Sequence, residues 1–101
     1  MTYHISVSSE AEIDIAAGWD WYYKIQPSLA EQFLLTIEFA FEKIKVSPHL
    51  FAKKHKNIRK ASIKKFPFAV LYILNGNTIE IISVFHHKRN PNRWKRRKNK
   101  S

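Results

Sequence analysis

A chain of 101 residues and 12.0 kDa, 45% hydrophobic, is long enough for one core and too short for two. It has no cysteine, which excludes disulfides and thiolate metal sites, and its two glycines cannot build a glycine-rich phosphate loop or the nucleotide-triphosphate chemistry such loops serve. The net charge of +10 is unevenly divided: residues 1–52 hold three basic and seven acidic groups, residues 53–101 fifteen and one, so a polyanion or an acidic protein is expected to meet the second half.

Tyr3, Ile5 and Val7 alternate with His4 and Ser6, which predicts a short strand with one buried face. Ser8 or Ser9 then caps a helix, with Glu10, Glu12 and Asp14 placed where negative charge favours a helix start. Ala11, Ile15, Trp19 and Tyr22 form its apolar stripe. Ile25-Gln26-Pro27-Ser28 ends this helix and starts the next, because proline interrupts a helix interior but suits a first turn. The short link makes the two helices an antiparallel hairpin. Leu29, Phe33, Ile37, Phe41 and Ile44 line the second, and Ser47-Pro48 stops it.

Residues 49–57 read as a basic loop anchored by Phe51. Three strands follow: residues 58–65 alternate weakly, residues 68–74 are apolar throughout, and residues 78–85 are rich in Ile, Val and Phe. Asn75-Gly76-Asn77 predicts a hairpin, since Asn and Gly tolerate positive φ, and Phe66-Pro67 a second. The expected fold is α+β: an N-terminal strand, a helical hairpin packed on one sheet face, and a three-strand antiparallel meander whose other face is left to the basic residues. Residues 1–94 form the domain and residues 95–101 a mobile cationic tail, with Trp94 docked before it.

The opening MTYHISVSSEAE lacks a basic n-region and meets Glu10 and Glu12 before an apolar core can form, so no secretion signal is read and a cytoplasmic location is expected. The longest uncharged stretch, residues 66–79, is 14 residues long and turn-like, too short for a membrane span.

Several residue groups can carry chemistry. Arg59, Lys60, Lys64 and Lys65, preceded by Lys53, Lys54 and Lys56, can hold phosphates or stabilise charge on a phosphorane, though lysines on an edge strand also serve only to keep it soluble. Arg59, beside apolar Ile58, is the strongest of these candidates. His86 and His87 end the last strand with rings on opposite faces, so one imidazole can face the basic side as an acid or base in RNA 2′-O-transphosphorylation; the plainer role is a hydrogen-bonded strand end. Tyr72 suits the core better than proton donation, and Trp19, Trp21, Tyr22 and Tyr23 suit packing better than base stacking. The five histidines show no metal-ligand spacing, so no metal and no cofactor is expected. Arg89, Arg93, Trp94, Arg96 and Arg97 add a non-specific nucleic-acid signal near the C-terminus.

Particular stretches also resemble a known family. They are A-x-x-D-I-A followed by W-Y-Y (Ala11, Asp14, Ile15, Ala16, then Trp21, Tyr22, Tyr23), F-x-x-x-I-E (Phe33, Ile37, Glu38), I-R-K (58–60), F-P-F-x-V-x-Y (66–72) and V-F-H-H-x-R-N-P-x-x-W (84–94). Together they resemble the RelE/ParE superfamily of type II toxin–antitoxin toxins over nearly the whole chain, with the F-P-F strand and the H-x-x-R-x-P-x-x-W ending closer to the ParE branch. The resemblance implies a toxin neutralised by a small, acidic, partly disordered antitoxin that wraps the hairpin and sheet. ParE-like members are associated with inhibition of DNA gyrase, without chemistry of their own. RelE-type members are ribosome-dependent mRNA endonucleases; they place arginines where this chain has Ala69 and His87. A nuclease here would use Arg59, Lys60, His86, His87 and Arg89. Target or nucleic-acid contact would involve Arg59, Lys60, Lys64, Arg89, Arg93, Trp94, Arg96 and Arg97. The expectation is therefore a ParE-like inhibitor of gyrase or replication, with an mRNA endonuclease second and a non-toxic basic nucleic-acid-binding module third.

Overall fold

The computed structural model describes residues 2–88. The elements are β1 (His4–Val7), α1 (Ser9–Ile25), α2 (Pro27–Val46), β2 (Lys53–His55), β3 (Ile58–Ser62), β4 (Phe68–Asn75) and β5 (Thr78–His86). The strands form one sheet in the order β1-β5-β4-β3-β2, antiparallel except for the parallel pairing of β1 with β5. The predicted α+β hairpin and meander are present, and the first strand completes the sheet by returning beside the last. The expected mobile tail lies outside the described residues.

Ser8 is the cap of α1: its hydroxyl accepts the Ala11 N–H at 3.0 Å, while its own N–H donates to the Ile81 carbonyl at 3.0 Å. One residue thus closes the helix start and fixes it to β5. Gln26, with extended backbone, is the whole link to α2, and Pro27 occupies that helix's first turn.

The helix faces differ in detail from the predicted stripes. In α1 Ala11 and Gly18 are buried, Ile15 and Tyr22 pack beside them, and Trp19 turns outward to stack on Tyr23 with ring centroids 4.7 Å apart. In α2 the buried line is Ala30, Phe33, Ile37, Ala40 and Ile44. Small residues therefore replace several of the large ones expected at the contact. A Cβ on Gly18 would lie 2.6 Å from the Phe33 ring, so glycine is what allows α1 to close on α2. Phe33 then meets Phe68 edge-on at 4.9 Å, and Tyr22 meets Phe66 at 4.8 Å. This aromatic cluster joins hairpin to sheet.

Central β4 is buried along most of its length. Phe68, Val70 and Tyr72 point into the helix-covered core, while Leu71 and Ile73 meet Ile58, Ile82 and Phe85 on the other side. The second face is therefore not purely basic, because it carries an apolar patch of its own. Along β5 the register shifts: Tyr72 faces Ile81 and Leu71 faces Ser83, which makes Ile82 an inserted residue. Beside this bulge Asp14 of α1 accepts both the Val84 N–H at 3.0 Å and the Ser83 hydroxyl at 3.2 Å.

The stretch predicted as a basic loop contains strand β2. It hairpins into β3 through Lys56-Asn57, with Lys56 at φ 51°. Its residues, Lys-Lys-His, show no apolar alternation, so pairing to β3 makes it a strand where intrinsic pattern would not.

Candidate functional site

Adjacent residues of a strand point to opposite faces, and this separates the two leading cationic candidates. Lys60 pairs with Leu71 and lies on the open face; Arg59 pairs with Tyr72 and lies on the helix side. There the Arg59 guanidinium donates to the carbonyls of Phe51 at 2.6 Å and His49 at 3.2 Å. Beside it the buried Tyr72 hydroxyl donates to the Pro48 carbonyl at 2.7 Å. The two side chains hold the connection from α2 to β2 against the sheet, and Phe51 packs edge-on to Tyr72 at 6.4 Å. Burial raises the Tyr72 pKa to about 12, with Arg59 pulling the other way.

The two histidines separate as alternation requires. His86 lies edge-on to Phe68 at 5.1 Å on the helix side, and its Nδ1 accepts the Lys88 N–H at 3.1 Å. His87 lies edge-on to Phe85 at 5.8 Å on the open side, and its backbone N–H donates to the Pro67 carbonyl at 2.9 Å. The His87 pKa is lowered, first by burial and then by the charges of Lys60 and Lys54. The open face therefore brings together Lys54, Lys60 and His87, from three strands and strand ends. It leaves out Arg59 and His86. Ala69, at the position where the RelE-type resemblance implies an arginine, is fully buried between Ser62 and Phe85. Lys64 lies past the end of β3 on the rim of a different feature, and Arg89, Arg93, Trp94, Arg96 and Arg97 lie outside the described residues. Among the described residues no group of three His, Asp or Glu side chains is placed to hold a metal ion.

That different feature is a groove of about 370 Å³ between α2 and the end of β3. Leu35, Phe39 and Phe51 supply apolar lining, and Lys43, Lys64 and Lys65 contribute cations. A neighbouring depression, sharing Lys43 and Phe51, extends it towards Val46 and Leu50. Leu35 and Phe39 are 63% and 59% exposed and Val46 and Leu50 80% and 76%, so this outer side of α2 has no cover within the described chain. The groove was missed in the sequence although a signal was present: α2 has large apolar residues at 35, 39 and 46, outside its core stripe, on a helix side that ordinarily carries polar residues.

A family model described as the ParE toxin of the type II toxin–antitoxin system parDE matches residues 5–91. The chain belongs to the ParE toxin family. The expected resemblance to RelE/ParE toxins is thereby met on its ParE side. Toxin ParE2 of Mycobacterium tuberculosis is 26% identical over 93 residues, which are 91% of this chain and 89% of the relative. A chain of the chromosomal ParDE system of P. aeruginosa has the same fold, with a TM-score of 0.75 at 17% identity, covering 84% of this chain and 96% of that one. A chain of the toxin–antitoxin complex RelBE2 of M. tuberculosis matches with a TM-score of 0.58 at 18% identity, covering 85% and 99%. In this ParE-family chain the motif residues are largely structural: Ala11, Phe33 and Ile37 are core, Asp14 ties α1 to the β5 bulge, and Tyr22, Phe66 and Phe68 build the aromatic cluster. No helix among the described residues is long and apolar enough to cross a membrane.

Proposed function

We propose that this ParE-family chain is a growth-inhibiting toxin that acts on DNA gyrase or replication without chemistry of its own, and that a cognate antitoxin neutralises it. The observation that carries the reading is the position of Arg59. A phosphoryl-transfer nuclease needs preorganised cations converging on the scissile phosphate. Here the arginine of the I-R-K stretch is turned to the helix side and engaged with two backbone carbonyls, and Ala69 supplies no replacement. The antitoxin segment is assigned to the α2 groove. A helix with an apolar stripe and flanking carboxylates satisfies both the apolar lining and Lys43, Lys64 and Lys65.

Induced expression tests the reading at each level. Growth arrest relieved by a small acidic protein encoded beside the gene supports the toxin, and harmless expression overturns it in favour of a simple binding module. Inhibition of supercoiling by purified gyrase, together with intact mRNA in the arrested cells, supports the target. Codon-phased mRNA cleavage on translating ribosomes, lost in His87→Ala, replaces it with the endonuclease.

A further inference from the structure

We infer that the free chain binds a second copy of itself head-to-tail: an acid-lined groove beside β1 on one copy receives the lysine-bearing side of α2 on the next. The contact goes beyond the toxin reading and needs neither a target nor an antitoxin. Its basis is a pair of apolar depressions of opposite charge on one molecule. The first, of about 470 Å³, is lined by Val7, Ile15, Trp19 and Leu34 with Glu12 and Asp20. Its aromatic surface continues onto Tyr23, which is half-exposed and stacked on Trp19. Glu31 and Glu38, three residues before Leu34 and four after it, lie on the same side of α2 and are exposed. The second depression is the groove between α2 and the end of β3, where Lys43, Lys64 and Lys65 flank Leu35, Phe39 and Phe51.

The fold keeps the two apart. Leu34 and Leu35 are successive residues, about 100° apart around α2. Each therefore belongs to a different row, Glu31-Leu34-Glu38 or Leu35-Phe39-Lys43. On the sheet, Val7 lies in edge strand β1 and Ala61 in β3, three strand spacings or about 14 Å away. One copy cannot close these surfaces on each other, whereas a second copy presents the complement of both.

Charge selects the occupant. The carboxylates around the first groove repel an acidic partner and attract a cationic one. The lysine side of α2 fits in kind: Val46 and Leu50, strongly exposed beside Lys43, supply apolar side chains for the groove, and Lys43, Lys64 and Lys65 meet its rim. The net charge of +10 opposes self-contact at long range, but in about 0.15 M salt the Debye length is about 8 Å, so the facing groups decide. Each assembled pair leaves one groove of either kind open, and growth continues past the dimer. The contact covers the groove assigned to the antitoxin segment, so the two exclude each other.

The test is sedimentation equilibrium of the purified full-length chain without antitoxin, from about 1 μM to about 1 mM, the range in which small, transient interfaces associate. The weight-average mass is expected to rise with concentration and to pass that of a dimer. Glu12→Lys with Asp20→Lys reverses the charges lining the first groove, and Lys43→Glu with Lys64→Glu reverses two in the second. An exposed ion pair changes affinity by about 1.4- to fivefold and reversing one partner squares that effect, so either variant alone is expected to associate at least about fourfold more weakly. Mixing the two is expected to restore association, because the intact second groove of one meets the intact first groove of the other. Both chains remain cationic, so net attraction does not explain a restored contact. Glu10→Lys with Glu80→Lys, outside both grooves and equal in net charge to the first variant, is expected to behave as the wild type. A wild type that stays monomeric, a mass that stops at the dimer, a reversed variant or a control that behaves otherwise, or a mixture that stays dissociated overturns the inference and leaves the acid-lined groove to another cationic partner. Far-UV circular dichroism and the melting temperature confirm that these surface variants fold. Because growth arrest and gyrase inhibition are read separately, failure of this contact leaves the toxin reading standing, and the reverse also holds.

Discussion

Tyr72 makes alkaline stability a direct readout of how the α2–β2 connection is held. Its hydroxyl is buried, donates to the Pro48 carbonyl at 2.7 Å, and titrates near 12 when folded, against 10.0 for the exposed group. Below pH 10 both folded and unfolded chains keep the proton and the contribution is complete. Between 10 and 12 only the folded chain keeps it, so the unfolded chain binds fewer protons and stability falls as pH rises. At one unit above the unfolded value, pH 11, the loss is about 1.4 kcal/mol, and it approaches about 2.7 kcal/mol above pH 12. Tyr72→Phe has no such proton; it is instead about 1–2 kcal/mol less stable at pH 8, because the Pro48 carbonyl loses its donor. Urea unfolding of both proteins from pH 8 to 11.5 is expected to show the gap between them closing near pH 11, with the lysines and the other tyrosines cancelling in the difference. A gap that stays constant over that range refutes the reasoning.

Arg59→Ala should lower stability by about 2–3 kcal/mol in urea unfolding, since two charge-assisted bonds to the His49 and Phe51 carbonyls are lost, and any loss of toxicity in that variant then reports folding before chemistry. Gly18→Ala places a methyl group 2.6 Å from the Phe33 ring, and overpacking of about 1–3 kcal/mol outweighs the gain in helix propensity of about 1 kcal/mol, so its melting temperature should fall. Asp14→Ala removes the acceptor for Val84 N–H and Ser83, costing about 1.5–3 kcal/mol, and amide exchange at Val84 should quicken more than exchange in β4. Leu35→Glu with Phe39→Glu, at exposed positions, should shift stability by no more than about 1 kcal/mol yet leave growth arrest that the antitoxin no longer relieves; continued rescue would remove the groove from the interface.

Much of the fold was legible because it rests on local chemistry. Gln26-Pro27 turns the chain between helices, Asn75-Gly76-Asn77 turns it between β4 and β5, and the apolar run of β4 announces a central strand. The site was less legible. Composition marked the second half as cationic, but a list of arginines, lysines and histidines contains no statement of which share a face. The same holds for β2, which exists because β3 pairs with it, and for Asp14, whose partners lie about 70 residues away in the chain.

By itself the sequence determined the helical hairpin, the central strand, the absence of thiol chemistry and the charge division, all properties of residue type and short-range spacing. Only the tertiary structure decided that β1 returns beside β5 and that Ile82 is inserted in the ladder. It also decided that Arg59 braces a connection while Lys60, one residue on, joins Lys54 and His87 on the open face. The reason is register: side chains alternate with a period of two, so a shift of one residue exchanges the faces, and that register is set by pairing between distant strands.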